Sequence, residues 1–393
     1  MNFDKLTECL DNILEREQIP GLDCIVYRDH EMIYRHFIGK SDLENDVDMN
    51  GSELYLIYSM TKMLTCTAAL QLLERGRYLL DDPVSCYLPE FAEMKLSSEP
   101  FDPYSPAKVI TGGEDERIAA EACVYAKRQM TVRHLFTMTG GLDYAKADGS
   151  ITAALSEGRV STKDLVCAMA NKTLGFEPGT RYRYSLCHDV LGALVEVWSG
   201  QSLGEYMKEN IFAPLGMKDT FFDVPRDEKR LSRMAARYSK AHGKLHRMPL
   251  VCDFNLSPEY QSGGAGLTSS AEDYAVFLDA MACGGIGRNG ARILSSATVE
   301  MMGTNHLKDK ALEDFDRLYR PGYGYGLGVR VHMDKAKSGS LSPLGEFGWD
   351  GAGGAFSMVD PTNKLSMVYF QHMHGWSIRV QNEMRNALYA CID

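Results

Sequence analysis

Apolar residues recur at helical spacing through "MNFDKLTECLDNILEREQIP", so residues 2–17 are expected to form an amphipathic helix ended at "QIPG". Two β-rich runs follow in "LDCIVYRDHEMIYRHFIGK", and the polar "RDH" between them marks a hairpin. In "LYLIYSMTKMLTCTAALQLLERG" a strand-like start runs into a segment apolar on nearly every side, the pattern of a buried helix closed by Gly76. From Asp81 to about Gly141 the pattern breaks up around Pro83, Pro89, Pro100, Pro103 and Pro106, with one short helical piece at "MTVRHLFTMTGGL". Residues 160–222 read as helical, interrupted at "GFEPGTRYRYS" and "APLGMKDT". "GGAGLTSSAEDYAVFLDAMACGG" then predicts a turn, a Ser cap and a helix. Beyond it, "YGYGLGVRVHM", "LGEFGWD", "GAFSMVD" and "KLSMVYFQHM" are β-rich runs between Gly and Pro turns, and "SIRVQNEMRNALYACI" closes the chain as a helix.

Strands near both ends and helices between them imply an α+β fold. The N-terminal hairpin and the C-terminal strands are expected to share one antiparallel sheet flanked by helices. Residues 1–81 and 262–393 then make a discontinuous sheet domain, residues 82–261 a mainly helical, loop-rich insertion, and the active site lies between them.

Composition narrows the function more than the fold. A formal charge of −11 over 393 residues, with no basic run, speaks against nucleic acid as a partner. No apolar run is long enough to span a bilayer, and the N-terminus lacks the pattern of a secretory signal. The ten cysteines are scattered singly, several in apolar segments (Cys66, Cys187, Cys391), which suits free thiols in the cytoplasm better than a disulfide framework. His372 and His374 sit at strand spacing without identifiable partner ligands, so no metal is expected. The patterning specifies no oligomeric state.

Ser59 and Lys62 stand at positions i and i+3 at the mouth of the buried helix, where they can touch. Burial should pull the lysine's pKa down toward that of a usable base, and the helix N-terminus favours a developing anion beside the serine. The spacing alone is weak, because on the order of one Ser-x-x-Lys arises by chance in a chain of this length. A second copy, Ser105-Pro-Ala-Lys108, lies in a proline-broken stretch with no buried helix behind it.

Context distinguishes the two copies. "YSMTKMLTCTAALQLLERGRYLLDDPVSCYLPEF", "MTVRHLFTMTGGLDY", "FEPGTRYRYSLCHDVLGALVEVWSGQSLGEYMKENIFAPLGMKDT", "GGAGLTSSAEDYAVFL" and "EFGWDGAGGAFSMVDP" together resemble the serine β-lactamase and penicillin-binding-protein family. The resemblance is to the branch of class C β-lactamases and related esterases, and it covers most of residues 20–372. It implies an acyl-enzyme on Ser59, with Lys62 and Tyr184 shuttling the proton; Tyr182 is the neighbouring alternative. It also implies an oxyanion hole from the backbone N–H groups of Ser59 and Ala352, and no cofactor. Lys62 beside Tyr184 should lower the phenol's pKa.

Two positions depart from the family's usual motifs. Leu186 stands where an asparagine normally meets an amide substrate. Trp349-Asp350-Gly351 stands where a Lys- or His-led triplet is usual, although a literal Lys337-Ser338-Gly339 occurs slightly earlier in a polar hairpin loop. Without that cation a substrate carboxylate loses its partner, and an aromatic wall suits a neutral acyl or alcohol group. The expectation is therefore a carboxylesterase acting on a small-molecule ester. A β-lactamase, a D-amino-acid peptidase, an acyltransferase on ester or amide substrates, and a catalytically silent ligand-binding homologue are its rivals. Trp349, Asp350, Gly351, Leu186, Tyr144 and His188 are counted with the pocket, though packing is the commoner role for Tyr144 and His188. Asp189 is expected to cap or orient its helix.

Overall fold

The computed structural model describes residues 1–97, 100–102, 124–144, 149–318, 320–375 and 377–392. Ser105 and Lys108, the second Ser-x-x-Lys pair, lie outside them.

Helix α1 (Asp4–Glu17) buries Leu6, Leu10 and Ile13, the i, i+4, i+7 stripe of its pattern, and ends where Gln18 turns left-handed before Pro20. Strands β1 (Gly21–Arg28) and β2 (Glu31–Asp42) form the expected hairpin. Its two-residue turn, Asp29-His30, has positive φ at both positions, the backbone twist that matches twisted strands. Short strands β3 (Val47–Asp48) and β4 (Leu54–Leu56) lead to α2 (Thr61–Glu74), buried from Thr61 to Leu72.

Further along the chain come α3 (Cys187–Ser199), β5 (Phe221–Phe222), the hairpin β6 (Arg237–Ala241) and β7 (Lys244–Met248), and β8 (Leu267–Ser270). Ser270 then caps α4 (Ala271–Ala282) by accepting from the Asp273 N–H. The C-terminal part supplies β9 (Tyr323–Tyr325), β10 (Arg330–His332), β11 (Phe347–Gly348), β12 (Phe356–Asp360), β13 (Leu365–Phe370), β14 (Met373–His374) and α5 (Arg379–Tyr389).

The main sheet is wholly antiparallel, in the order β9-β10-β11-β12-β13-β1-β2-β3. N- and C-terminal strands therefore meet at its centre, where Ile25 lies opposite Val368. Alternation along β1 explains its burial on both faces. Leu22, Cys24 and Val26 pack on α1 and α5, while Ile25 faces the larger core that contains α2 and α4. Between residues 82 and 261 the described chain is mostly helix and loop, but the β6–β7 hairpin joins β14 through a parallel contact. Its turn, His242-Gly243, again has positive φ at both residues, a hairpin signal readable in "RYSKAHGKLHRM". Among the described residues all nine cysteines are free thiols, and no helix is long and apolar enough to cross a membrane.

Candidate active site

Strand β4 delivers the chain into one tight turn, Tyr58–Met60, before α2 begins. Tyr58 holds φ at +46°, a left-handed conformation that costs a non-glycine residue on the order of 1 kcal/mol. Its fully buried ring fixes it there: the hydroxyl meets His374 Nε2 at 3.1 Å, and a Cβ added to Gly353 would come within 3.1 Å of the ring. Ser59, half-buried, follows directly.

Lys62 is fully buried, and its Nζ donates to Ser59 Oγ (3.3 Å), Tyr144 Oη (2.8 Å) and the Gly264 carbonyl (2.7 Å). Burial pulls its pKa from 10.5 down to about 7, against the opposite pull of Asp189. Near neutrality the amine is thus partly unprotonated. In that form it can keep donating to the Gly264 carbonyl while accepting the proton of Ser59.

Tyr184 neighbours Tyr144 beside the lysine, with ring centroids 5.4 Å apart. Its hydroxyl lies against Ser59 and accepts from Trp349 Nε1 at 3.1 Å. Lys62 Nζ sits over the Tyr184 ring, 4.6 Å from its centroid, and not at the hydroxyl. The expected lowering of this phenol is therefore corrected: burial pushes its pKa up, and Tyr184 rests as a neutral donor. Tyr182, the neighbouring alternative, is buried with its ring against Phe315 and Tyr325.

Asp189 does not cap its helix. Its Oδ1 accepts from Tyr260 Oη (2.8 Å) and Ser262 Oγ (2.6 Å), which ties down the loop that presents the Gly264 carbonyl to Lys62. Thr65 Oγ1 holds the same loop by donating to the Gly263 carbonyl. A Cβ at position 264 would lie 2.5 Å from Asp189 Oδ2, so any larger residue there would have to displace that carboxylate.

On the sheet side, the turn after Trp349 packs against the turn before Ser59. A Cβ on Gly351 would meet the Ile57 carbonyl at 2.6 Å, and Ala352 is exposed beside it. Trp349 is buried against Tyr184, with ring centroids 5.5 Å apart. Lys337 lies in an exposed one-turn helix, Lys335–Ser338, within the connection from β10 to β11. The tryptophan triplet, and not the lysine triplet, meets Tyr184.

Three residues counted with the pocket are packed elsewhere. The Asp350 carboxylate accepts from Gln381 Nε2 (3.0 Å) and pairs with Arg320 and Arg330, in a charge cluster behind the strand. His188 is fully buried one turn below Tyr184. Its Nε2 donates to the Phe136 carbonyl at 3.2 Å with Cys66 Sγ beside it, and burial holds its pKa near 3. Leu186 is buried in the same core, its N–H bonded to the Asp143 carbonyl. Tyr144, expected only to line the pocket, is instead a direct partner of Lys62.

His374 is engaged with Tyr58, and His372 Nδ1 with the Ala235 carbonyl. Among the described residues one group of potential metal ligands, Asp29, His30 and Cys283, brings its donor atoms within 4.8 Å; Asp29 is already paired with Lys364.

The chain is also similar in sequence and fold to known proteins. Residues 6–390 match the family described as Beta-lactamase. Protein Rv1367c of Mycobacterium tuberculosis is 29% identical over 390 residues, spanning 96% of this chain and 92% of that protein. Esterase EstB of Burkholderia gladioli is 27% identical over 412 residues, spanning 98% and 95%. Among solved structures, unliganded simvastatin synthase (LovD) from Aspergillus terreus superposes with a TM-score of 0.80 at 23% identity, covering 99% of each chain.

Proposed function

The chain belongs to the β-lactamase family, and from that premise we propose that it is a serine carboxylesterase working through an acyl-enzyme on Ser59. The observation that carries this reading is Lys62: a buried amine within 3.3 Å of Ser59 Oγ, with its pKa brought to about 7.

In the proposed reaction the Lys62 amine takes the Ser59 proton as Oγ attacks the ester carbonyl. The negative oxygen of the tetrahedral intermediate faces the backbone N–H groups of Ser59 and Ala352. Collapse breaks the bond to the leaving alkoxide, which departs as the alcohol by taking a proton from the Lys62–Tyr184 pair. Water then attacks the acyl-enzyme, gives its proton to the pair, and the acid leaves as Ser59 is reprotonated. Tyr184, neutral and beside Ser59, is the donor of this pair.

Neutral esters fit the site better than β-lactams or D-peptides. Leu186 offers no amide to an acylamino group, and Trp349 offers no charge to a carboxylate. An alcohol can replace water in the second half without any change in the machinery, so acyl transfer is the accompanying activity. The acidic net charge supports a small-molecule partner over nucleic acid, and the scattered free thiols support a cytoplasmic setting.

Labelling tests the reading directly. An alkyl fluorophosphonate should modify Ser59, mapped by peptide mass spectrometry, and block turnover of p-nitrophenyl acetate. Nitrocefin should be a far poorer substrate than that ester; equal or better nitrocefin hydrolysis would move the assignment to β-lactamase.

A further inference from the structure

Five aromatic rings form an arc around Ser59 and Lys62. Trp349 neighbours Tyr184 (5.5 Å between centroids), Tyr184 neighbours Tyr144 (5.4 Å), Tyr144 neighbours Phe254 (5.8 Å) and Phe254 neighbours Tyr58 (6.3 Å), the residue before the nucleophile. Four of these rings carry an N–H or O–H. Phe254 is all hydrocarbon, half-buried, and belongs to the chain between β7 and β8.

One buried side chain fixes that segment. Arg237 on β6, with no side-chain exposure, donates Nη1 to the carbonyls of Pro249 (2.7 Å) and Val251 (2.6 Å) and Nη2 to Asp253 Oδ2 (2.5 Å). Cys252, buried between Asp253 and Val251, packs with Leu56 and Tyr58. Phe254 is therefore held at a fixed distance from the nucleophile's turn, as a wall must be.

Tetrahedral geometry says which part of the substrate this wall meets. The attacked carbon carries Ser59 Oγ, the negative oxygen, the leaving oxygen and the acyl substituent. In the reaction proposed above, the negative oxygen takes the direction of the Ser59 and Ala352 N–H groups and the leaving oxygen that of Tyr184, at the Trp349 end of the arc. The acyl substituent takes the remaining direction, toward Tyr144 and Phe254. We propose that Phe254 is the specificity-determining residue that limits the length of the acyl group, an inference that rests on the acyl-enzyme reading above.

The experiment compares kcat/KM for p-nitrophenyl acetate, butyrate and octanoate in the wild type, Phe254→Ala, Phe254→Leu and Phe254→Trp. Shortening the side chain opens room for methylene groups, so the octanoate-to-acetate ratio should rise about tenfold or more in Phe254→Ala and by less in Phe254→Leu. It should fall by about tenfold in Phe254→Trp. A ratio does not depend on how much enzyme is folded, so a loss of stability cannot imitate the effect. Ratios within about twofold of wild type in all three variants overturn the proposal. So does a shift confined to a series of acetate esters of different alcohols, which would place Phe254 on the leaving-group side. If Ser59 of the wild type is not labelled by a fluorophosphonate, the acyl-enzyme reading falls and the proposal with it; labelled Ser59 with unchanged ratios refutes the proposal alone.

Discussion

Lys62→Met should abolish ester turnover, by about 10³-fold or more in kcat, and should at the same time make the fold more stable. The two effects share one cause. The wild-type fold encloses an amine that water would keep protonated up to 10.5, and lowers its pKa to about 7. The unfolded chain binds that proton more readily, so wild-type stability rises with pH between about 7 and 10.5 and is lowest, for this group, below 7. That gap is worth at most about 5 kcal/mol, and the lost hydrogen bonds to Gly264, Tyr144 and Ser59 return part of it. A net gain of about 2 kcal/mol at pH 7 is expected from urea unfolding, shrinking toward pH 10. In the wild type, kcat/KM for an uncharged ester should climb through a pKa near 7 as Lys62 loses its proton. A profile flat from pH 6 to 8, or Ser59→Ala retaining turnover, would remove the lysine–serine pair from the chemistry.

Glu346→Gln should be among the most destabilising single changes in the sheet, at about 3–5 kcal/mol. Glu346 is fully buried beside Arg330 (3.2 Å) and Arg385 (3.3 Å), both buried as well. Burial alone would raise its pKa, but Arg385 and Arg330 together outweigh burial and hold the carboxylate below its ordinary value. Its contribution is therefore complete above the ordinary glutamate pKa and is lost as pH falls through the lower folded one. The variant should need less urea to unfold at pH 7, and the difference from wild type should narrow in acid. An unchanged urea midpoint would mean that the arginines find other partners.

The placement of Ser59 and Lys62 was legible in the chain because two independent patterns coincide there: spacing of three, and a helix apolar on every side. The hairpin at Asp29-His30 and the cap at Ser270 were equally plain, since each rests on local turn or cap chemistry. Side chains reaching in from irregular segments were not legible. Nothing periodic directs Tyr144 to Lys62, or Asp189 to Tyr260 and Ser262; tertiary contact alone aims them. The error about the Tyr184 phenol has the same source. Sequence places a cation near a tyrosine, but whether it meets the hydroxyl or the ring face is a matter of angle, and the angle reverses the electrostatic consequence. Asp350 shows the complementary case, in which a residue next to the site turns to the buried Arg320 and Arg330 behind it.

The left-handed backbone at Tyr58 sets a conflict for anyone engineering this protein for heat tolerance. A glycine there would relax the turn that presents the nucleophile, and a search scored on melting temperature has reason to try it. The same replacement deletes the ring on which His374, Phe254 and the Gly351–Gly354 turn rest. Position 58 is thus where selection for durability and selection for turnover part company, one residue before the group that does the chemistry.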